Sequence, residues 1–210
     1  MLGQKVIEKR VSPINGRITV ARSLGLGTYI QVEGLTQSGG IVGGIWMKTL
    51  KKVKSEKFKI KSCLILGLGG GTAAKIAKSL WPEAEITGVE IDPIMVELGI
   101  RYLSLEVSGV KVVIGDALEI SEKLKVKSEK FDLILVDMYL GDKFPEKFED
   151  TTFLKLILKL LTSNGLVVFN RLYYGEKRPE AVKFGEKLKK VFPTVEYFYP
   201  QANLMFLCSP

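Results

Sequence analysis

From about Lys61 onward, short, mainly apolar runs alternate with longer amphipathic ones, and this alternation organises the chain. Cys63–Leu66, Glu85–Glu90, Val110–Ile114, Phe131–Val136 and Leu166–Phe169 read as strands. Cys63–Leu66 is wholly apolar and the others are largely so at their centres, as strands covered on both faces should be. Between them the apolar positions recur at helical spacing, predicting helices over Thr72–Leu80, Pro93–Leu105, Ala117–Leu124 and Thr151–Leu161. Pro93 suits a first helical turn, and Asn164-Gly165 supplies a stop signal after the fourth helix. A repeated strand–helix alternation predicts an α/β fold with a mostly parallel sheet.

The two ends break that rhythm. Arg17–Arg22 and Thr28–Glu33 are short alternating stretches joined through Gly25 and Gly27, which predicts a β-hairpin. Gly34, Gly39-Gly40 and Gly43-Gly44 then predict a loop leading to a helix over Ile45–Lys54. At the other end, a helix over Pro179–Val191 precedes Val195–Tyr199 and Leu204–Leu207. These two strands are too close in sequence for a parallel crossover, so an antiparallel hairpin is expected. The resulting division is an N-terminal β-hairpin with its connecting helix over 1–60 and a Rossmann-like domain over 61–210.

Composition narrows the chemistry. The chain of 210 residues contains no histidine, so proton transfer would fall to carboxylates, Tyr, Lys or water. Its two cysteines, Cys63 and Cys208, lie in apolar runs and read as small buried hydrophobes; no metal site is expected. No apolar run approaches the roughly 20 residues of a membrane span, and no signal-peptide core follows the N-terminus, so a cytoplasmic protein is expected. The net charge of +8 comes from lysines in Lys48–Lys61, Lys123–Lys130 and Lys183–Lys190, interleaved with Glu as on a solvated outer face. A nucleic-acid partner is compatible with that charge, but no binding motif accompanies it. The N-terminal strand edges could pair between subunits, which makes a homodimer an expectation.

Candidate chemistry gathers at the ends of the strands. Gly67, Gly69, Gly70 and Gly71 form a glycine loop between the first strand and a helix, where the backbone can turn sharply and a ligand can approach it closely. The third glycine of a dinucleotide fingerprint would fall at Thr72, which lowers a nicotinamide reading. Glu90 with Ile91 ends the second strand, where a carboxylate can accept from ribose hydroxyls. Asp116 with Ala117 ends the third, placed to recognise adenine. Asp137 ends the fourth, with Tyr139 and Asp142 close behind. Either of the first two acids taken singly could be a helix cap; ligands in open α/β sheets bind at these strand ends.

Taken together, GLGGGTAA, VEIDP, VVIGDALE, FDLILVDMYLGD and NGLVVFN resemble the spermidine synthase-like branch of the class I methyltransferases that use S-adenosylmethionine (SAM). The resemblance extends from about Gly16 to the C-terminus. It implies a class I methyltransferase sheet, with SAM or decarboxylated SAM as donor. It further implies that Gln37 contacts the nucleoside, Glu90 its ribose, and Asp116 with Ala117 its adenine, while Asp137 stands near the attacking group. Where aminopropyltransferases of the branch carry an Asp in the glycine loop, this chain has Gly70. Their Tyr-His-Glu segment is replaced by Gly39–Gly44, and their Asp-Ser-Ser/Thr-Asp-Pro segment by Asp137–Asp142.

The expected activity is methyl transfer to an N or O acceptor, either a small molecule or a protein. Asp137 and Tyr139 are the candidate catalytic residues. Aminopropyl transfer to a polyamine and a non-catalytic nucleoside-binding module are the alternatives.

Overall fold

A computed structural model describes residues 3–56 and 58–210. Its centre is a seven-stranded sheet ordered β10-β11-β9-β8-β5-β6-β7. β5 (Ser62–Leu66), β6 (Glu85–Glu90), β7 (Lys111–Ile114), β8 (Phe131–Val136) and β9 (Leu161–Leu172) run parallel. β10 (Thr194–Phe198) and β11 (Asn203–Ser209) form the expected antiparallel hairpin, which joins the sheet through β11 against β9. The connecting helices are α2 (Thr72–Leu80), α3 (Pro93–Leu103), α4 (Ala117–Val126), α5 (Thr151–Leu160) and α6 (Lys177–Lys189).

The apolar strands are explained by cover on both faces. Leu64, Leu66, Ile134 and Val136 face Phe153, Leu154 and Phe184 of α5 and α6. Cys63, Ile65, Leu133 and Leu135 face the opposite layer, with Trp46, Leu50 and Ala74. Each strand therefore contributes alternate residues to two separate cores. Among the described residues, no helix is long and apolar enough to cross a membrane.

The N-terminal part departs from the expected hairpin. It is a four-stranded antiparallel sheet of β1 (Lys5–Ser12), β2 (Gly16–Ser23), β3 (Gly27–Val32) and β4 (Leu35–Gly39). β1 exposes residues on both of its faces, Val6 and Val11 among them, so it has no alternation to read. β4 lies in the segment expected as a loop, and its glycine signal has a different cause. Gly39 holds φ at 73°, and a Cβ there would stand 2.4 Å from the Thr28 carbonyl oxygen. The following helix, α1 (Gly40–Ser55), begins five residues before the expected start. Ile18, Val20, Ile30 and Val32 of the small sheet pack on Met95 and Leu98 of α3. Arg10 adds a two-pronged contact to Glu97 (3.0 and 3.2 Å).

Two smaller differences bear on the site. α6 starts at Lys177 and stops at Lys189, while β9 continues past Phe169 to Leu172. That extension carries Asn170 and Arg171 into the buried sheet, at 5% and 3% exposure.

Candidate functional site

A cleft opens at the carboxyl ends of β5, β6, β7 and β8, where the glycine loop turns back from the sheet. The Gly67 and Leu68 amides donate to the Val89 carbonyl (3.0 and 2.9 Å), which fixes the loop against β6. Gly67 holds φ at 87°, and a Cβ there would lie 2.2 Å from the Asp137 carbonyl oxygen, so the β5 and β8 turns touch main chain to main chain. This bare backbone forms one wall of the cleft.

β4 holds the glycine loop, the start of α2 and the β8–α5 connection through three consecutive residues. The Gly70 amide donates to Ser38 Oγ at 2.7 Å. The Gly39 amide donates to Thr72 Oγ1 at 2.7 Å. Gln37 Nε2 donates to the Gly141 carbonyl at 2.9 Å. Thr72, the residue that breaks the dinucleotide fingerprint, thus has its own task in this fold.

Gln37, Gly67, Gly69, Glu90, Ile91, Asp116, Ala117, Asp137 and Tyr139 all border the cleft. Gly70 and Gly71 do not. A Cβ on Gly70 would press on Leu103 Cδ1 (2.8 Å) and Ile30 Cδ1 (3.0 Å); one on Gly71 would strike Leu105 Cδ1 (2.2 Å). Both glycines are closely packed behind the loop, where a side chain would not fit. Asp142 also lies apart, paired with Lys177 (3.1 Å) and outside the cleft.

The acids are held firmly. Glu90 Oε2 accepts from the Gly69 amide at 2.7 Å and Oε1 from the Asp92 amide at 3.0 Å. Burial pushes its carboxyl above the ordinary range, against the pull of those two amides. Asp92, capping α3, is fully buried and also accepts from Ser12 Oγ (2.5 Å) and Asn15 Nδ2 (2.7 Å). Asp116 caps α4 through the Leu118 amide (2.9 Å) and pairs with Lys147. Burial alone would raise the Asp116 carboxyl, but Lys147 and the helix amides outweigh it and hold it below the usual value.

Asp137 sits where two recesses meet. Its Oδ2 accepts from Trp46 Nε1 (2.8 Å) and its Oδ1 from Asn170 Nδ2 (2.7 Å), while Asn203 Nδ2 steadies Asn170 Oδ1 (2.7 Å). Burial raises the Asp137 carboxyl, and the indole and amide donors oppose that rise. The Tyr139 hydroxyl accepts from the Leu172 amide at 2.8 Å, and burial shifts it upward. Its hydroxyl is therefore engaged with the backbone of β9.

The second recess, of about 230 Å³, lies between α1, β4 and the ends of β9 and β11. It shares Gln37, Val42, Asp137 and Tyr139 with the first, so Asp137 borders both.

Trp46, Asn170 and Lys147 were not identified from sequence. Trp46 is indistinguishable from a core aromatic, since it is 1% exposed within an amphipathic helix. Asn170 did carry a signal: a polar residue at the end of an apolar parallel strand, the same signal that marks Glu90 and Asp137. Lys147 lies in the β8–α5 connection, where one lysine among many gives no sign of its partner.

The family model described as "Methyltransferase domain" matches residues 59–201, more than half of the chain. The polyamine aminopropyltransferase of Vibrio vulnificus is 34% identical over 134 residues, covering 61% of this chain and 45% of that protein. The eEF1A lysine and N-terminal methyltransferase homolog of Drosophila melanogaster is 35% identical over 143 residues, covering 64% and 21% respectively. The chain thus spans less than half the length of either relative. Spermidine synthase from Thermotoga maritima superposes with a TM-score of 0.77 at 21% identity, covering 98% of this chain and 72% of that one. That likeness extends the shared fold to the small N-terminal sheet as well as the main one. The chain belongs to the methyltransferase domain family, and it shares a Rossmann-like fold with spermidine synthase.

Proposed function

We propose that the protein is a SAM-dependent transferase that moves a methyl group to an N or O acceptor. The observation that carries this reading is the position of Asp137 between two recesses, one bordered by the glycine loop, Glu90 and Asp116, the other by apolar walls. On this reading the first recess holds the donor and the second the acceptor. The bare loop from Gly67 to Gly69 accommodates the nucleoside closely, Glu90 accepts from the ribose, and Asp116 with the Ala117 amide addresses adenine. Gln37 ties β4 to the Gly141 turn and so shapes the passage between the recesses.

SAM supplies an electrophilic methyl carbon. The acceptor lone pair bonds to that carbon while the C–S bonding pair passes to sulfur. The protein contributes alignment, which can be worth roughly 7–11 kcal/mol of a bimolecular barrier. Asp137 is suited to take the proton that the acceptor loses, because its raised carboxyl is a stronger base than an exposed Asp. Tyr139 orients the β8 turn through its bond to the Leu172 amide. The cytoplasm remains the expected location.

Aminopropyl transfer from decarboxylated SAM is the second reading, favoured by the 34% identity to an aminopropyltransferase. The packing of Gly70 against α3 weighs against it, because the loop offers no carboxylate for an aminopropyl ammonium. Thermal-shift and calorimetric titration with SAM, S-adenosylhomocysteine and decarboxylated SAM separate the two. Binding of the first two supports methyl transfer; stabilisation by the decarboxylated donor alone refutes it.

A further inference from the structure

The second recess has a chemical character that narrows the acceptor. Its walls are Leu35, Ile41, Val42, Ile45 and Leu172, with Tyr174 at the rim. Its polar lining consists of neutral groups, Thr36, Gln37, Asn170 and Asn203 among them, and the buried pair Asn170–Asn203 is consumed in holding Asp137. Among the described lining residues, Asp137 is the one ionisable carboxylate. It lies at the end of the recess that adjoins the donor cleft. A single positive charge can therefore be matched at that end. A second one further along would reach the open rim at Ile41 and Tyr174, where it meets aliphatic side chains and no carboxylate, and so would gain nothing that an apolar carbon chain gains by burial.

We propose that the acceptor is a primary monoamine with an apolar body, its nitrogen at Asp137 and its carbon chain along α1 and β4, taken in preference to diamines and polyamines. The inference rests on the reading of the two recesses as donor and acceptor sites. The amine binds as an ammonium paired with the Asp137 carboxylate. It passes one proton to that carboxylate, and the freed lone pair forms the N–C bond as the C–S bond breaks. The products are a methylammonium and the neutral thioether.

The test compares hexylamine with hexamethylenediamine, which match in length and differ by the second charge. Each is titrated calorimetrically into the full-length protein, with and without S-adenosylhomocysteine. Hexylamine should bind about tenfold more tightly than the diamine, the scale of the apolar burial that the diamine's charged far end forgoes. Asp137→Asn should abolish that binding while the melting temperature shows the protein still folded. Equal or tighter binding of the diamine, no binding of hexylamine, or unchanged hexylamine affinity in the variant would each overturn the proposal. Failure to bind S-adenosylhomocysteine would instead defeat the methyl-transfer reading, and the amine titrations without it would still report on the recess.

Discussion

Replacing Trp46 by Phe isolates the hydrogen bond that the core supplies to Asp137. Trp46 is buried to 1% exposure, and its Nε1 donates to Asp137 Oδ2 at 2.8 Å. Losing a bond to an ionised acceptor costs about 1.5–3 kcal/mol. The smaller ring gives up roughly 1–2 kcal/mol more in burial and packing. The expected loss above the Asp137 titration is therefore about 2.5–5 kcal/mol, measurable as a lowered urea midpoint at unchanged slope.

The pH dependence separates the two contributions. The Asp137 carboxyl is raised by burial in the folded protein, so its contribution to stability is greatest at low pH and is lost as pH rises through the folded value. Removing the indole donor raises that value further and widens the window of loss. The gap between variant and wild type should consequently grow as pH increases through the wild-type Asp137 titration, while the packing part stays constant. A gap that stays constant as pH rises through the Asp137 titration would refute the idea that Trp46 acts on the charged form. It would leave Trp46 as a packing residue.

Three further outcomes are expected. Gly67→Ala should destabilise the protein by about 1–3 kcal/mol, because φ is positive and the new Cβ meets the Asp137 carbonyl at 2.2 Å; equilibrium unfolding measures the loss, and donor affinity should fall with it. Glu90→Gln sets an amide NH₂ against either the Gly69 or the Asp92 amide, since both carboxylate oxygens already accept; titration with S-adenosylhomocysteine should show affinity reduced by roughly 10- to 100-fold. Arg171→Met removes a guanidinium that is 3% exposed in its side chain, stacked 4.3 Å from the Phe144 ring and bonded to Glu149 at 2.7 Å. Because Lys187 still pairs with Glu149, the loss should be moderate, about 2–3 kcal/mol by denaturant unfolding.

The sequence alone was sufficient for the sheet, because its information is local. Apolar runs of strand length at β5, β6 and β8 need two covered faces, and the helical periodicity between them supplies the cover. The acids Glu90, Asp116 and Asp137 were legible for the same reason: Glu90 ends β6, Asp137 follows β8 directly and Asp116 stands one glycine beyond β7, and a parallel sheet brings those ends together. The small N-terminal sheet was only half legible. β1 is exposed on both faces and so carries no period, while the glycines that suggested a loop at Gly39 and Gly40 instead let β4 and α1 approach β3 closely.

What the tertiary structure decided is which partners those residues meet. Trp46 and Asp137 stand 91 residues apart, and Asn170 and Asn203 come from two strands that pair antiparallel. No local pattern encodes such contacts; they arise when α1 packs on the sheet and β11 inserts beside β9. The direction in which Gly70 faces is likewise set by the packing of α3 rather than by the loop's own residues. Spacing along the chain determined where charge could gather, and close packing determined how that charge is held and what it can touch, because side-chain contacts are fixed only when whole elements dock.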